Sequence, residues 1–333
     1  MKRILCFIGA VALSAVTGCT GGAAGGRKLL SIDFKQGQSL RYKFVSSRDI
    51  NINWDPSQNK TASAKDKVSE YKELFEMVVA YRPVEIEPYG LTTVKATCES
   101  VKVQRTSAKA RHKDAVETLP GKSFTLKIAP NGRIADYSQL NALICELGEN
   151  AFRPGRKQGR IKEPDMISDF WASQWFLWDS VSSIPNAAEG VEIGQSWTSR
   201  LLIPTPMVLR KARDVTYSLD EVRRTEKGQV AVISSKYSVS ESAPTGWSES
   251  TPDGWPIPYS GRFQMSGTFG FLRGYQVLDM QGRGEELFNI DTGRIEKYDQ
   301  EYQIKFSAQF PVSIGSNPEI DIKQKLTMEL LGG

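Results

Sequence analysis

Histidine is nearly absent: His112 is the only one in 333 residues. One imidazole cannot build a multi-histidine metal centre within a single chain. Any Ser-His-Asp chemistry would have to run through that same residue, and no Gly-x-Ser-x-Gly elbow is present to hold its serine. Cysteine is scarce too. Four cysteines in a chain of this length exclude a small scaffold held together by disulfides. Long apolar runs are missing: the longest, Ile4 to Val16, is too short to cross a hydrocarbon core of about 30 Å as a helix. Neither sign of charge dominates, with 43 basic and 38 acidic residues and a formal net charge of +5. With 40% hydrophobic and 24% charged residues, the composition is that of a globular protein and excludes both disorder and a collagen-like repeat.

The N-terminus carries an address. Lys2 and Arg3 precede the apolar run, and small residues follow it. This is the layout of a secretory signal. The signal ends in Val16-Thr17-Gly18-Cys19, which resembles the lipobox of bacterial lipoproteins. The resemblance implies cleavage before Cys19, diacylation of its thiol and acylation of the new amino terminus. Three acyl chains are enough for stable membrane anchoring. Residues 1–18 then form the signal peptide and 19–28 a Gly-rich tether, with no core-forming side chain from Thr20 to Gly26. The residue after Cys19 is Thr20, not aspartate, and resemblance to Gram-negative sorting patterns then implies the outer rather than the inner membrane if the host is Gram-negative. An envelope location argues against nucleic acid as a partner; the partners expected are the membrane, through the lipid, and an apolar ligand or envelope polymer.

Two short patterns recur at nearly one offset. Gly37-Gln38-Ser39 and Gly194-Gln195-Ser196 each open an apolar, strand-like run. Gly132-Arg133-Ile134 is followed by Tyr137, and Gly293-Arg294-Ile295 by Tyr298 at the same spacing. This predicts a tandem duplication, with repeats over 29–190 and 191–333. In the first, strands are expected over Ser39–Ile52, Phe75–Val84, Leu91–Val103 and Phe124–Ile128, the last before an Asn131-Gly132 turn. In the second they are expected over Trp197–Ile203, Asp214–Val222, Val230–Ser240, Gln264–Phe271, Tyr275–Asp279, Glu285–Ile290, Glu301–Phe310 and Ile320–Leu331. Helices are predicted over Ser138–Asn150, where Leu140, Leu143, Ile144 and Leu147 share a face, and over Pro164–Ser183. The fold class is α+β: mostly antiparallel β in two tandem meander-type repeats, the first carrying two helices packed on the sheet. In organisation the folded part resembles uncharacterised envelope lipoproteins.

Several constellations could carry function. Trp171, Trp175 and Trp178 follow i, i+4, i+7 spacing and would share one helix face, either buried in the sheet's concavity or lining an apolar ligand site. Arg153, Arg156, Lys157, Arg160 and Lys162 form a basic stretch suited to anionic headgroups or an acidic polymer, or simply to solvent. A second basic stretch includes Lys102, Arg105, Lys109, Arg111 and Lys113, with His112 among them. Trp247, Trp255 and Tyr259 lie in a Pro- and Gly-rich loop where they could stack on sugars, enter a membrane or cap the core. Asp291-Thr292-Gly293 matches the aspartic-protease tripeptide, but the equivalent Asn131-Gly132 supplies no second carboxylate, and Asp291 reads as a turn former. Glu146, Glu149, Asp165 and Asp169 could serve a glycosidase, though no spacing singles out a pair. Cys98 and Cys145 are the candidate disulfide. No metal or cofactor is expected. These readings converge on a lipid-anchored, non-enzymatic binding module for an apolar ligand, an envelope polymer or a protein. The alternatives are an envelope hydrolase using carboxylates and a structural assembly subunit.

Overall fold

In the computed structural model the described residues are 26–58, 68–106, 113–151, 160–161, 166–205, 212–241, 264–265, 272–310 and 316–332. The signal, Cys19, Lys109, Arg111, His112, Arg153, Arg156, Lys157, Lys162, Asp165, Trp247, Trp255 and Tyr259 lie outside them, as do the side chains of Glu149 and Arg160. Among the described residues no helix is long and apolar enough to cross a membrane.

Alternation of side chains along the strands sets the architecture. In β1 (Leu40–Asn53) the side chains of Leu40, Tyr42, Phe44, Ser46, Arg48, Ile50 and Ile52 are buried, and the residues between them face outward. The same two-residue period runs through β2 (Val68–Ile86), β3 (Thr92–Arg105), β4 (Ser123–Ile128) and, after the helical segment, β12 (Arg294–Gln309) and β13 (Glu319–Gly332). A sheet with one apolar and one polar face must bury the apolar one, and here all strands do so against a single interior.

The remaining elements are β5 (Ile134–Asp136), α1 (Ser138–Ala151), β6 (Arg160–Ile161), α2 (Ile167–Phe176), α3 (Asp179–Ser182), β7 (Ser196–Leu202), β8 (Ala212–Thr225), β9 (Gly228–Val239), β10 (Gln264–Met265) and β11 (Arg273–Asn289). Eleven strands form one sheet in the order β5-β4-β3-β2-β1-β13-β12-β11-β9-β8-β7, and β6 pairs with β10 apart from it. Every pairing in the large sheet is antiparallel. Two runs of sequential neighbours meet where β1 pairs with β13, with Ile50 opposite Ile322. The fold is therefore α+β and dominated by antiparallel strands, as composition and periodicity predict.

Three local expectations are corrected. The helix predicted over Pro164–Ser183 breaks into α2 and α3, because Trp178 leaves helical geometry at φ −124° and ψ 4°. The separate strands predicted over Tyr275–Asp279 and Glu285–Ile290 are one strand, β11. The glycines between them, Gly282 and Gly284, stay in the ladder and make room for the neighbouring strands β9 and β12. A Cβ on Gly284 would sit 2.6 Å from both Ser235 Oγ and Tyr237 Oη. Finally, Cys98 and Cys145 form no disulfide. Cys98 points inward from β3 with no exposed surface, and burial pushes its thiol pKa up to about 12, so little of the reactive thiolate exists.

Laid flat, eleven strands would span on the order of 50 Å. Residues of the two outermost strands, β5 and β7, nevertheless line one cleft. The sheet is thus curled into an incomplete barrel whose edges approach without pairing. α2 fills the interior. It is apolar around most of its circumference, and eight of its ten residues are buried, Phe170 and Phe176 among them, as expected of a helix enclosed on most sides. One end of the barrel is closed by the segment 27–34, which lays Leu30, Ile32 and Phe34 onto the core. Its backbone ties two hairpin turns together: Ile32 N donates to Pro130 O (2.7 Å) and Asp33 N to Gly293 O (3.0 Å). Both turns belong to the paired sequence patterns. At Gly132 the backbone is left-handed (φ 80°), and a side chain would press on Ile32 and on the carbonyl of Trp178.

Candidate functional site: an aromatic cleft between the sheet edges

Polar groups buried inside the barrel fix the position of α2 and α3. Asp114 stands at one end of the network, where its carboxylate accepts from the backbone N–H of Met166 just before α2. Arg105 bridges Asp114 (2.8 Å) to Glu73 (3.1 Å). Arg48 joins Glu73 (3.5 Å) to Asp169 of α2. Asp169 also accepts from Ser46 (3.1 Å) and Gln324 (3.3 Å), and Gln324 in turn accepts from the Tyr302 hydroxyl (2.8 Å). Burial opposes the Arg48 charge, but the Asp169 and Glu73 carboxylates more than offset it and hold its pKa above the ordinary value. Further along, Arg213 is fully buried on β8, with its guanidinium 4.5 to 4.8 Å from the ring centres of Phe176, Tyr237 and Tyr302. It donates to Gln300 Oε1 (2.7 Å). Tyr81 donates to Gln174 Oε1 at 2.6 Å.

With the helices held this way, their outer side and the two sheet edges enclose a cleft of about 1130 Å³. Arg133, Ile134, Ala135 and Tyr137 line it from the β5 edge. Trp175, Trp178, Asp179, Ser182 and Ser183 line it from α2 and α3. The β7 edge contributes Thr198, Ser199, Arg200 and Leu201, continued by Asp214 and Thr216 of β8. The aromatic wall is ordered: Trp175 stacks on Trp171 (4.9 Å between centroids, 17°) and meets Tyr137 edge-on (5.1 Å, 78°). Opposite it, Arg200 Nε contacts Asp214 Oδ1 at 3.0 Å.

Two carboxyl groups with raised pKa stand here, Asp179 in the cleft wall and Glu286 beneath it. Asp179 accepts from Ser199 Oγ (2.8 Å) and Tyr217 Oη (2.8 Å). Burial pushes its pKa up to about 6, against the pull of those hydrogen bonds and of the Arg213 charge. Glu286 has no exposed surface and accepts from Ser180 Oγ (2.6 Å). Burial takes its pKa up to about 8, with the Ser180 hydrogen bond acting against that rise and the Asp179 charge adding to it. Sequence reasoning missed both groups, because nothing in their spacing distinguishes them from surface acids.

The predicted residues are partly brought together. Trp175 and Trp178 line the cleft, whereas Trp171 is buried behind Trp175. The expectation that all three share one face fails at Trp178, which follows the helix break and packs edge-on against Tyr81 at 5.3 Å. Asp169 is part of the buried network, and Glu146 pairs with Lys122 on the surface. Asp291 accepts from Gln229 N (2.9 Å), so it joins two neighbouring turns. Among the described residues no cluster of His, Cys, Asp and Glu could hold a metal ion. Comparison of the chain with protein-family models and with curated proteins yields no match.

Proposed function

We propose that this protein is a lipoprotein of the cell envelope, anchored through Cys19, that binds an extended envelope polymer with flat ring faces, such as a saccharide chain, in the cleft between its sheet edges. The observation that carries this reading is the pairing of an ordered aromatic wall, Trp175 and Tyr137, with hydroxyls and a charged pair on the facing edge. Rings provide stacking surface at low entropic cost, and a few placed polar groups provide orientation. The cleft is somewhat larger than a typical small-molecule site, which suits several linked rings. A lipid-carrier role has less support, because α2 occupies the interior where acyl chains would lie. The test is titration of the full protein with soluble saccharide fragments released from the envelope, followed by tryptophan fluorescence. A saturable spectral shift that Trp175→Ala abolishes is expected. No shift, or one indifferent to Trp175→Ala, overturns the proposal.

A second reading, hydrolysis by carboxylates, draws on one observation: Asp179 lies in the cleft with a pKa of about 6. Its oxygens are engaged by Ser199 and Tyr217, and Glu286 is sealed beneath, so binding without chemistry is the favoured function. Turnover of those same fragments, lost in Asp179→Asn with binding retained, would reverse that order.

We also propose that the sheet arose by tandem duplication. Support comes from the two sequential runs of strands, which lie side by side in the same sense, and from the paired turns at Gly132 and Gly293, which occupy equivalent places in them.

A further inference from the structure

We infer that the barrel end closed by residues 27–34 is a membrane-docking face that lies on the lipid surface. This orientation rests on reading Cys19 as the lipidated residue. Strand direction assigns each turn to one end of the barrel. At this end are the β2–β3 turn, the start of β7, the end of β13 and the 27–34 segment. Large apolar side chains exposed to solvent collect there: Leu29, Val84, Ile86, Tyr89, Ile193 and Leu331. Tyr89, at the tip of its turn, is 94% exposed, and Leu29 is 54% exposed. Among the described residues the far end of the barrel exposes three such side chains, Val68, Val239 and Leu278. Apolar side chains on a rim are costly in water and suit the boundary between headgroups and acyl chains, where tyrosine is favoured.

The chain outside the described residues fixes the occupant. Residue 26 enters the barrel at this same end, where Lys28 pairs with Val191 (Lys28 N to Val191 O, 2.7 Å). From Cys19 to Gly26 the chain reaches about 25 Å at full extension and about 15 Å as a flexible coil. A 14-residue strand such as β1 rises on the order of 45 Å. The tether therefore holds the apolar rim near the bilayer and keeps the opposite end beyond it. Charges at the rim are mixed, as in the Arg27–Glu192 pair at 3.3 Å, so contact is apolar rather than selective for anionic lipid. The aromatic cleft starts at this rim, with Gly132 and Arg133, and runs along the side of the barrel, so it would open close above the membrane.

The test uses the full lipidated protein in phosphatidylcholine vesicles that carry a nitroxide quencher at the headgroup. Tyr89→Cys and Val239→Cys, each in a Cys145→Ser background, are labelled with a fluorophore. Both positions are exposed, so labelling spares the core. Quenching at position 89 should exceed that at 239 by about threefold or more, should be unchanged by added anionic lipid, and should fall when Leu29→Asp and Ile193→Asp are combined. Equal quenching at the two positions, or quenching at 89 indifferent to the aspartates, overturns the docking face while leaving the anchor intact. Protein that fails to sediment with the vesicles overturns the Cys19 reading, and the docking face with it.

Discussion

Asp169→Ala should cost about 3–5 kcal/mol of folding stability. The residue sits on α2 and is 5% exposed; its partner Arg48 is 3% exposed. Removing the carboxylate leaves a buried guanidinium with Glu73 at 3.5 Å as its remaining acidic contact, and deprives Ser46 and Gln324 of an acceptor. Stranding a buried charge costs more than the intact pair contributes, because desolvation is no longer compensated. Domains are typically stable by about 5–15 kcal/mol, so the variant should fold but melt early. Urea denaturation followed by circular dichroism measures the loss. The double variant Arg48→Met with Asp169→Leu removes both charges at similar volume and should recover to within about 1–2 kcal/mol of the parent. In that background Glu73 keeps Arg105 at 3.1 Å and Gln324 keeps its hydrogen bond to Ser46 Oγ at 2.8 Å, so the loss that remains is the Asp169 acceptor of Ser46 and Gln324. A loss below about 1 kcal/mol in Asp169→Ala, or a double variant as weak as the sum of the singles, would show that the network does not pin the helix.

Three further outcomes are expected. Glu286 and Asp179 are acids whose folded-state pKa values lie above those of the unfolded chain, at about 8 and about 6. Between the unfolded and folded values each group holds a proton in the folded state that the unfolded chain has already lost, so stability should fall as pH rises from about 4.5 to 8, by about 1.4 kcal/mol for each pH unit and each such proton; Glu286→Gln should flatten most of that slope in urea titrations at several pH values. Gly284→Ala places a Cβ 2.6 Å from Tyr237 Oη and Ser235 Oγ, and overpacking of this kind should lower stability by about 1–3 kcal/mol, read by thermal unfolding. Cys98 should resist thiol reagents in the native protein and react only on unfolding, at a rate unaffected by prior reductant; reactivity in the native state would contradict its burial.

Local pattern made much of the fold readable in advance. Alternation of apolar and polar residues in Leu40–Ile52 and Phe124–Ile128 is a short-range consequence of the pleat, and the strands appear there. Leu140, Leu143, Ile144 and Leu147 all face the protein core from α1, and Asn131-Gly132 makes the expected turn. What local pattern lacks is the identity of distant neighbours. β1 and β13 pair across nearly the whole chain, and only that pairing merges the two runs of strands into one sheet. Its curl brings Tyr137 and Leu201, from opposite edges, to one cleft. Arg48, Arg105 and Arg213 read as surface residues in sequence, because arginine is seldom fully buried without compensation. The tertiary structure supplies that compensation, from Asp169, Glu73 and Asp114 for the first two and from three aromatic rings and Gln300 for the third. Side-chain period is a property of a few adjacent residues and is written in the sequence. Partners for buried charge, and the meeting of two sheet edges, depend on the closure of the whole barrel and are decided only there.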